Sequence, residues 1–207
     1  PGFRDPIKSL GGLRVIDLYV PIAIALSLAM LALTAMPTYL STYREKGILR
    51  RLAVTPMPPA RLLLAQLFTN LLMAIVAVGL LLALARVVYD VALPREIVGY
   101  IVAFLLAAAA LFAMGLLVAA LAPSGKAAPS IGLILYFPIM FFAGLWIPRA
   151  AMPETLRRVS DFTPLGAGVQ ALQDATGGVW PQPLNLAVMA AYVIVFSVAA
   201  ARFFRWE

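Results

Sequence analysis

The sequence predicts an all-α, polytopic membrane protein, and three observations carry that prediction. Of its 207 residues, 63% are apolar and only 12% are charged, whereas a soluble domain is about 45–50% apolar and about 25% charged. The mean hydropathy is +0.97. The apolar residues also gather into five runs near the length of about 20 residues that a helix needs to cross a bilayer. Five such spans occupy roughly half of the chain. Residues 1–207 therefore read as one membrane domain, with no sizeable soluble domain beside it.

The first run covers residues 18–40 and holds Pro21 and Pro37 near its ends, where the loss of a backbone donor is tolerated best. The second covers 62–89 and the third 97–122. The fourth, 130–147, is short for a span and carries Pro138 in its middle, which is expected to kink the helix and free a carbonyl. The last run is 184–204. The chain begins with Pro1 rather than Met, and a span preceding it is expected.

The connections differ in kind. Residues 41–61 carry Arg44, Lys46, Arg50, Arg51 and Arg61 against the single acid Glu45. The positive-inside rule places this dense loop, the turn at Lys126 and the tail with Arg202 and Arg205 in the cytoplasm. The opposite side then holds the stretch before residue 18, the turn at 90–96 and the long segment 148–183. In that segment Leu156, Val159, Phe162, Leu165, Val169 and Leu172 recur at three- and four-residue steps, as on one helix face. Pro164 and Gly166–Gly168 are expected to divide it into two short amphipathic helices, lying at or dipping into the outer surface.

There are no Cys and no His residues. Disulfides, thiolate nucleophiles, Ser-His-Asp triads and His/Cys zinc sites are thereby excluded within this sequence. No catalytic, cofactor-binding or metal-binding residue is expected. Ser124-Gly125-Lys126 lacks the flanking pattern of a phosphate-binding loop and reads as a tight turn. The net charge of +7 is what basic cytoplasmic loops produce by themselves, so nucleic acid is not an expected partner. Span interiors hold no acid and no Lys, and Arg86 sits where it can snorkel to the interface. Gln66, Thr69 and Asn70 form the most polar cluster within a span. They either line a path or hydrogen-bond a neighbouring helix.

The stretch Tyr43-Arg44-Glu45-Lys46-Gly47-Ile48-Leu49-Arg50-Arg51-Leu52 reads as a short amphipathic helix. Glu45, Ile48, Leu49 and Leu52 share one side; Tyr43, Arg44, Lys46, Arg50 and Arg51 share the other. So many cations would be prohibitive in hydrocarbon. Thr55-Pro56 and Pro58-Pro59 stop this helix, and a new one begins. The cationic face suits either a soluble protein partner or anionic lipid head groups. Gly47 either permits close approach of a partner backbone or simply weakens the helix.

Asp17-Leu18-Tyr19-Val20-Pro21, an apolar span, and then Tyr43-Arg44-Glu45-Lys46-Gly47 with Leu49-Arg50-Arg51-Leu52 and Thr55-Pro56 together resemble the ABC-2 type permeases. These are the membrane subunits of ABC exporters, including daunorubicin-type drug-efflux permeases. The resemblance continues through Phe142-Ala143-Gly144-Leu145-Trp146-Ile147-Pro148, Met152-Pro153 and Phe162-Thr163-Pro164-Leu165, in the family's order. It implies six spans in an intact member, of which this chain looks like the second to the sixth. It also implies that Tyr43–Leu52 is the coupling helix seated on a nucleotide-binding subunit, and that 148–183 re-enters the outer leaflet. ATP and Mg would be bound by partner ATPases, and a second permease subunit would complete the pathway. The substrate implied is hydrophobic or amphipathic, such as a drug, antibiotic or lipid, with polysaccharide or glycolipid export used by relatives. An ion-coupled carrier or channel with no ATPase is the competing class.

Overall fold

The computed structural model describes residues 14–48, 60–147 and 149–203, and every regular element among them is helical. The protein is an all-α polytopic membrane protein. Helix α1 runs Val15–Glu45, α2 Ala60–Tyr89, α3 Ile97–Leu121, α4 Ala127–Phe142, α5 Glu154–Asp161, α6 Pro164–Gly177 and α7 Pro183–Phe203. Four described helices, α1, α2, α3 and α7, are long and apolar enough to cross a membrane, and α4 is a shorter apolar helix. At 1.5 Å per residue α4 reaches about 24 Å, less than the hydrocarbon thickness of about 30 Å. It runs through Pro138 but ends at Phe142 rather than at 147. Gly144 then turns the chain with a φ of +91°, a conformation that glycine adopts at no steric cost.

Helix α1 is longer than its apolar run, because polar residues at both ends find partners. At its start, Arg14 binds Asp17 in the first turn through both carboxylate oxygens at 2.9 Å. It also donates to the carbonyls of Tyr89 and Asp90. These bonds tie α1 to the α2–α3 connection. The hydrogen bond to Asp17 raises the Arg14 pKa above its ordinary value.

Midway, α1 widens into a π-turn at Leu31–Ala35, where the Met36 N–H bonds the Leu31 carbonyl five residues back. The cause lies just beyond. Pro37 has no N–H to offer the Leu33 carbonyl, and its ring crowds that oxygen. The widened turn pushes carbonyls outward, and two glycines receive them. A Cβ on Gly132 of α4 would stand 1.8 Å from the Leu33 oxygen, and one on Gly115 of α3 would stand 2.0 Å from the Ala32 oxygen. Small residues thus let three helix backbones meet.

The core lies among α1, α3 and α6, where Ile24, Leu28, Ala107, Leu111, Leu165, Val169 and Leu172 are buried. Helices α2 and α7 present broad apolar faces outward, with Phe68, Val87 and Ile194 exposed, as lipid-facing spans do. Helix α6 departs from the amphipathic expectation: Pro164 to Val169, Ala171, Leu172 and Ala175 are all buried. Its glycines do not break it. The break falls at Phe162–Thr163, where the Thr163 side chain accepts from the Gly166 N–H at 3.1 Å and Pro164 follows in the first turn, a pairing that starts helices. Gly168 instead lets α6 pack on α3, since a Cβ there would lie 3.2 Å from that of Ala107. Ala107 is about 15 Å along α3 from Ile97, and Tyr192, which donates to the Phe162 carbonyl, is about 14 Å along α7. The junction of α5 and α6 therefore lies beside the middle of α7 and near the tip of α4.

Candidate functional site

Three regions gather the polar groups of this apolar molecule. The first is the Arg44 end of α1. The segment expected to form one amphipathic helix is divided: Tyr43, Arg44 and Glu45 belong to the last turn of the spanning helix. The Lys46 and Gly47 N–H groups then close on the carbonyls of Thr42 and Arg44 at 3.0 Å. Gly47 has a φ of +64°, and such a left-handed residue ends helices. Ile48 is again helical, while Leu49, Arg50, Arg51 and Leu52 lie outside the described residues. Glu45 and Lys46 are exposed; Tyr43, Arg44, Gly47 and Ile48 are half-buried.

Arg44 does not face outward with Lys46. Its guanidinium reaches across to α3, donating to the carbonyl of Ala119 at 3.5 Å and to that of Ala122. Ala119 lies in the last turn of α3 and Ala122 caps it, where carbonyls lack helical partners and a cation is favoured. Next to it, the α3–α4 turn fits closely. A Cβ on Gly125 would lie 2.6 Å from Thr42 Oγ1 and 3.0 Å from Glu45 Oε2. Ser124 Oγ accepts from the Ala127 N–H at 3.0 Å, which starts α4.

The second region is at membrane depth. An open-sided pocket of about 630 Å³ lies along the π-turn, between α1, α2 and α4. Its walls include Met30, Leu31, Met73 and Val78, and its polar groups are the hydroxyls of Ser27, Thr34 and Tyr136. Ser27 and Thr34 donate to their own helix, to the carbonyls of Ala23 and Met30, so the pocket offers acceptor lone pairs and an apolar wall. On α2, Asn70 is buried and donates to the Gln66 carbonyl at 2.9 Å, while Thr69 is exposed and donates to the Ala65 carbonyl at 2.9 Å. Gln66 is half-buried. Asn70 is spaced by fours with the buried Ala74 and Val78, on the face that α2 turns to α1, whereas Thr69 points away from it.

The third region centres on Arg149, which the sequence reading did not single out. Its side chain is 5% exposed, and all three guanidinium nitrogens donate within one cluster. It pairs with Asp161, donates to Ser160 Oγ, to the Gly166 carbonyl at 3.3 Å and to Gln170 Oε1 at 3.1 Å. Ser160 Oγ in turn donates to the Phe142 carbonyl at 2.6 Å, satisfying the exposed end of α4. Gln170 donates to Asp174 at 2.7 Å. A buried guanidinium needs an ionic partner and hydrogen bonds to offset its desolvation, and this one has Asp161 and four hydrogen bonds. The signal in the sequence was an Arg directly after the apolar run 142–147, with an acid twelve residues on.

Among the described residues no group of three or more His, Cys, Asp or Glu is placed to hold a metal ion.

Residues 6–176 match the ABC-2 type transporter family. The chain is 28% identical over 191 residues to the inner membrane transport permease YhhJ of Escherichia coli (strain K12), covering 87% of this chain and 50% of that protein. It is 24% identical over 157 residues to the putative transport permease YvfS of Bacillus subtilis (strain 168), covering 74% of this chain and 62% of that protein. The chain thus spans about half the length of the Escherichia coli relative it matches. No solved structure matches. The chain belongs to the ABC-2 type transporter family and is a multi-pass protein of the bacterial plasma membrane.

Proposed function

We propose that this chain is the membrane subunit of an ATP-driven exporter that moves a hydrophobic or amphipathic molecule, such as a drug, antibiotic or lipid, outward across the plasma membrane. The observation that carries the reading is the pocket along the π-turn, apolar apart from three hydroxyls and free of ionisable lining. Such a wall suits an apolar solute with few polar groups. A carrier driven by an ion gradient would place acids, Lys or His in the span interior. The described pocket holds none, which supports a reading in which the driving energy comes from a partner.

That partner, in this reading, is a cytoplasmic ATPase that binds ATP and Mg and docks on the loop after α1. Glu45, Lys46, Arg50 and Arg51 supply the polar contacts, Ile48, Leu49 and Leu52 the buried side, and Gly47 sets the angle at which the loop leaves α1. A second permease subunit completes the pathway.

The test is purification of the full-length protein in mild detergent. A cytosolic ATPase is expected to co-purify with the parent protein. It should be lost with Gly47→Arg, since a side chain is strained at a φ of +64°, and with Arg50→Glu combined with Arg51→Glu. No ATPase under gentle extraction, or full retention in both variants, would overturn the docking assignment.

A further inference from the structure

We infer that Arg44 is a positioning residue: it carries movement of the docked loop into α3 and α4 and makes no contact with the docked partner. The inference rests on the ATPase-docking reading above and adds the route by which docking reaches the rest of the bundle.

The argument starts from where the guanidinium is spent. Arg44 belongs to a stretch dense in cations, and in an unassembled helix it would face solvent with Lys46. In the fold it is half-buried and bonded to the last carbonyls of α3, at Ala119 and Ala122. Glu45 and Lys46, one and two residues on, stay exposed.

A second contact holds the same place. Gly125 packs against Thr42, where a Cβ would stand 2.6 Å from a hydroxyl held at 2.7 Å to the Thr38 carbonyl, and 3.0 Å from the exposed Glu45 carboxylate. Ser124 holds the start of α4 at 3.0 Å. The end of α1, the end of α3 and the start of α4 are therefore joined in one tight knot, two residues before the left-handed turn at Gly47. The chain beyond that turn cannot tilt the end of α1 without moving α3 and α4 with it. Since α3 carries α6 and α7 along its length, the knot links the loop to most of the bundle.

The test uses the complex of the full-length protein with its co-purifying ATPase, and reads MgATP turnover. Arg44→Gln is expected to retain the ATPase at the parent level while kcat falls at least fivefold with KM for ATP unchanged. Arg44→Lys should recover most of the rate, because a cation near those carbonyls still serves them. Gly125→Ala should reproduce the loss by prying the turn from Thr42, with no change of charge. Loss of the ATPase with Arg44→Gln would overturn the inference by making Arg44 a contact residue. Parent-level turnover in both Arg44→Gln and Gly125→Ala would overturn it as well. If the parent protein brings down no ATPase, the docking reading falls and this inference falls with it.

Discussion

Arg149 and Arg44 complete two helix ends in different ways. At α4 the terminal carbonyl of Phe142 is served through Ser160, within a cluster drawn from residues 142–170. At α3 the terminal carbonyls are served by Arg44 across 75 and 78 residues of sequence. The Arg149 cluster carries its own carboxylate in Asp161, whereas Arg44 donates to two backbone carbonyls. The first is a neutral unit assembled from one stretch of chain. The second exists only when α1 and α3 are already side by side, so any relative shift of those helices acts on it directly. One region fixes a loop, and the other registers how helices stand.

Substitutions can break or sharpen that contrast. The largest effect is expected at Arg149→Ala, which leaves Asp161 without its cation and strips partners from Gln170 and Gly166. Removing one member of a buried pair costs about 3–5 kcal/mol, visible as a large fall in thermal midpoint of the detergent-solubilised protein. Gly132→Ala comes next. Its Cβ would meet a backbone oxygen, that of Leu33 at 1.8 Å, which cannot rotate aside, so about 1–3 kcal/mol of overpacking is expected from the same measurement. Thr163→Ala should be smallest, about 1 kcal/mol for a lost helix cap. Its effect should be confined to the α5–α6 junction, as faster amide exchange at Gly166 with no change near Ala122.

Much of this architecture is legible in the sequence, because span-length apolar runs state their own burial and proline and glycine state their own geometry. The spans at 62–89 and 97–122 match α2 and α3 closely. The short fourth run was recognisable as short, but the sequence did not say what meets its end. Segment 148–183 divides at Pro164 as expected, but not at Gly166–Gly168. Gly166 and Gly168 look like helix breakers in isolation, and only the neighbouring Ser160 and Ala107 turn them into packing surfaces. Arg149 escaped notice for a related reason. A charge beside an apolar run ordinarily snorkels outward, and its burial follows from Asp161 and Ser160 arriving from another helix. The assignment of Arg44 to the cationic face fails on the same ground, since its acceptors lie on α3. Tertiary partners are what a helical wheel omits.

The π-turn at Leu31–Ala35 has a consequence far from the pocket it borders. Successive residues of an α-helix point about 100° apart, and a π-turn absorbs roughly one residue beyond the regular count. Every side chain after Ala35 is therefore dialled back by about one position against an uninterrupted helix begun at Val15. Were the turn regularised, Arg44 would swing about 100° around the axis and move about 1.5 Å along it, leaving Ala119 and Ala122 facing a different residue. A regular helix with one residue fewer in that interval would keep Arg44 aimed at α3. In that sense the middle of α1 sets the compass bearing of its far end.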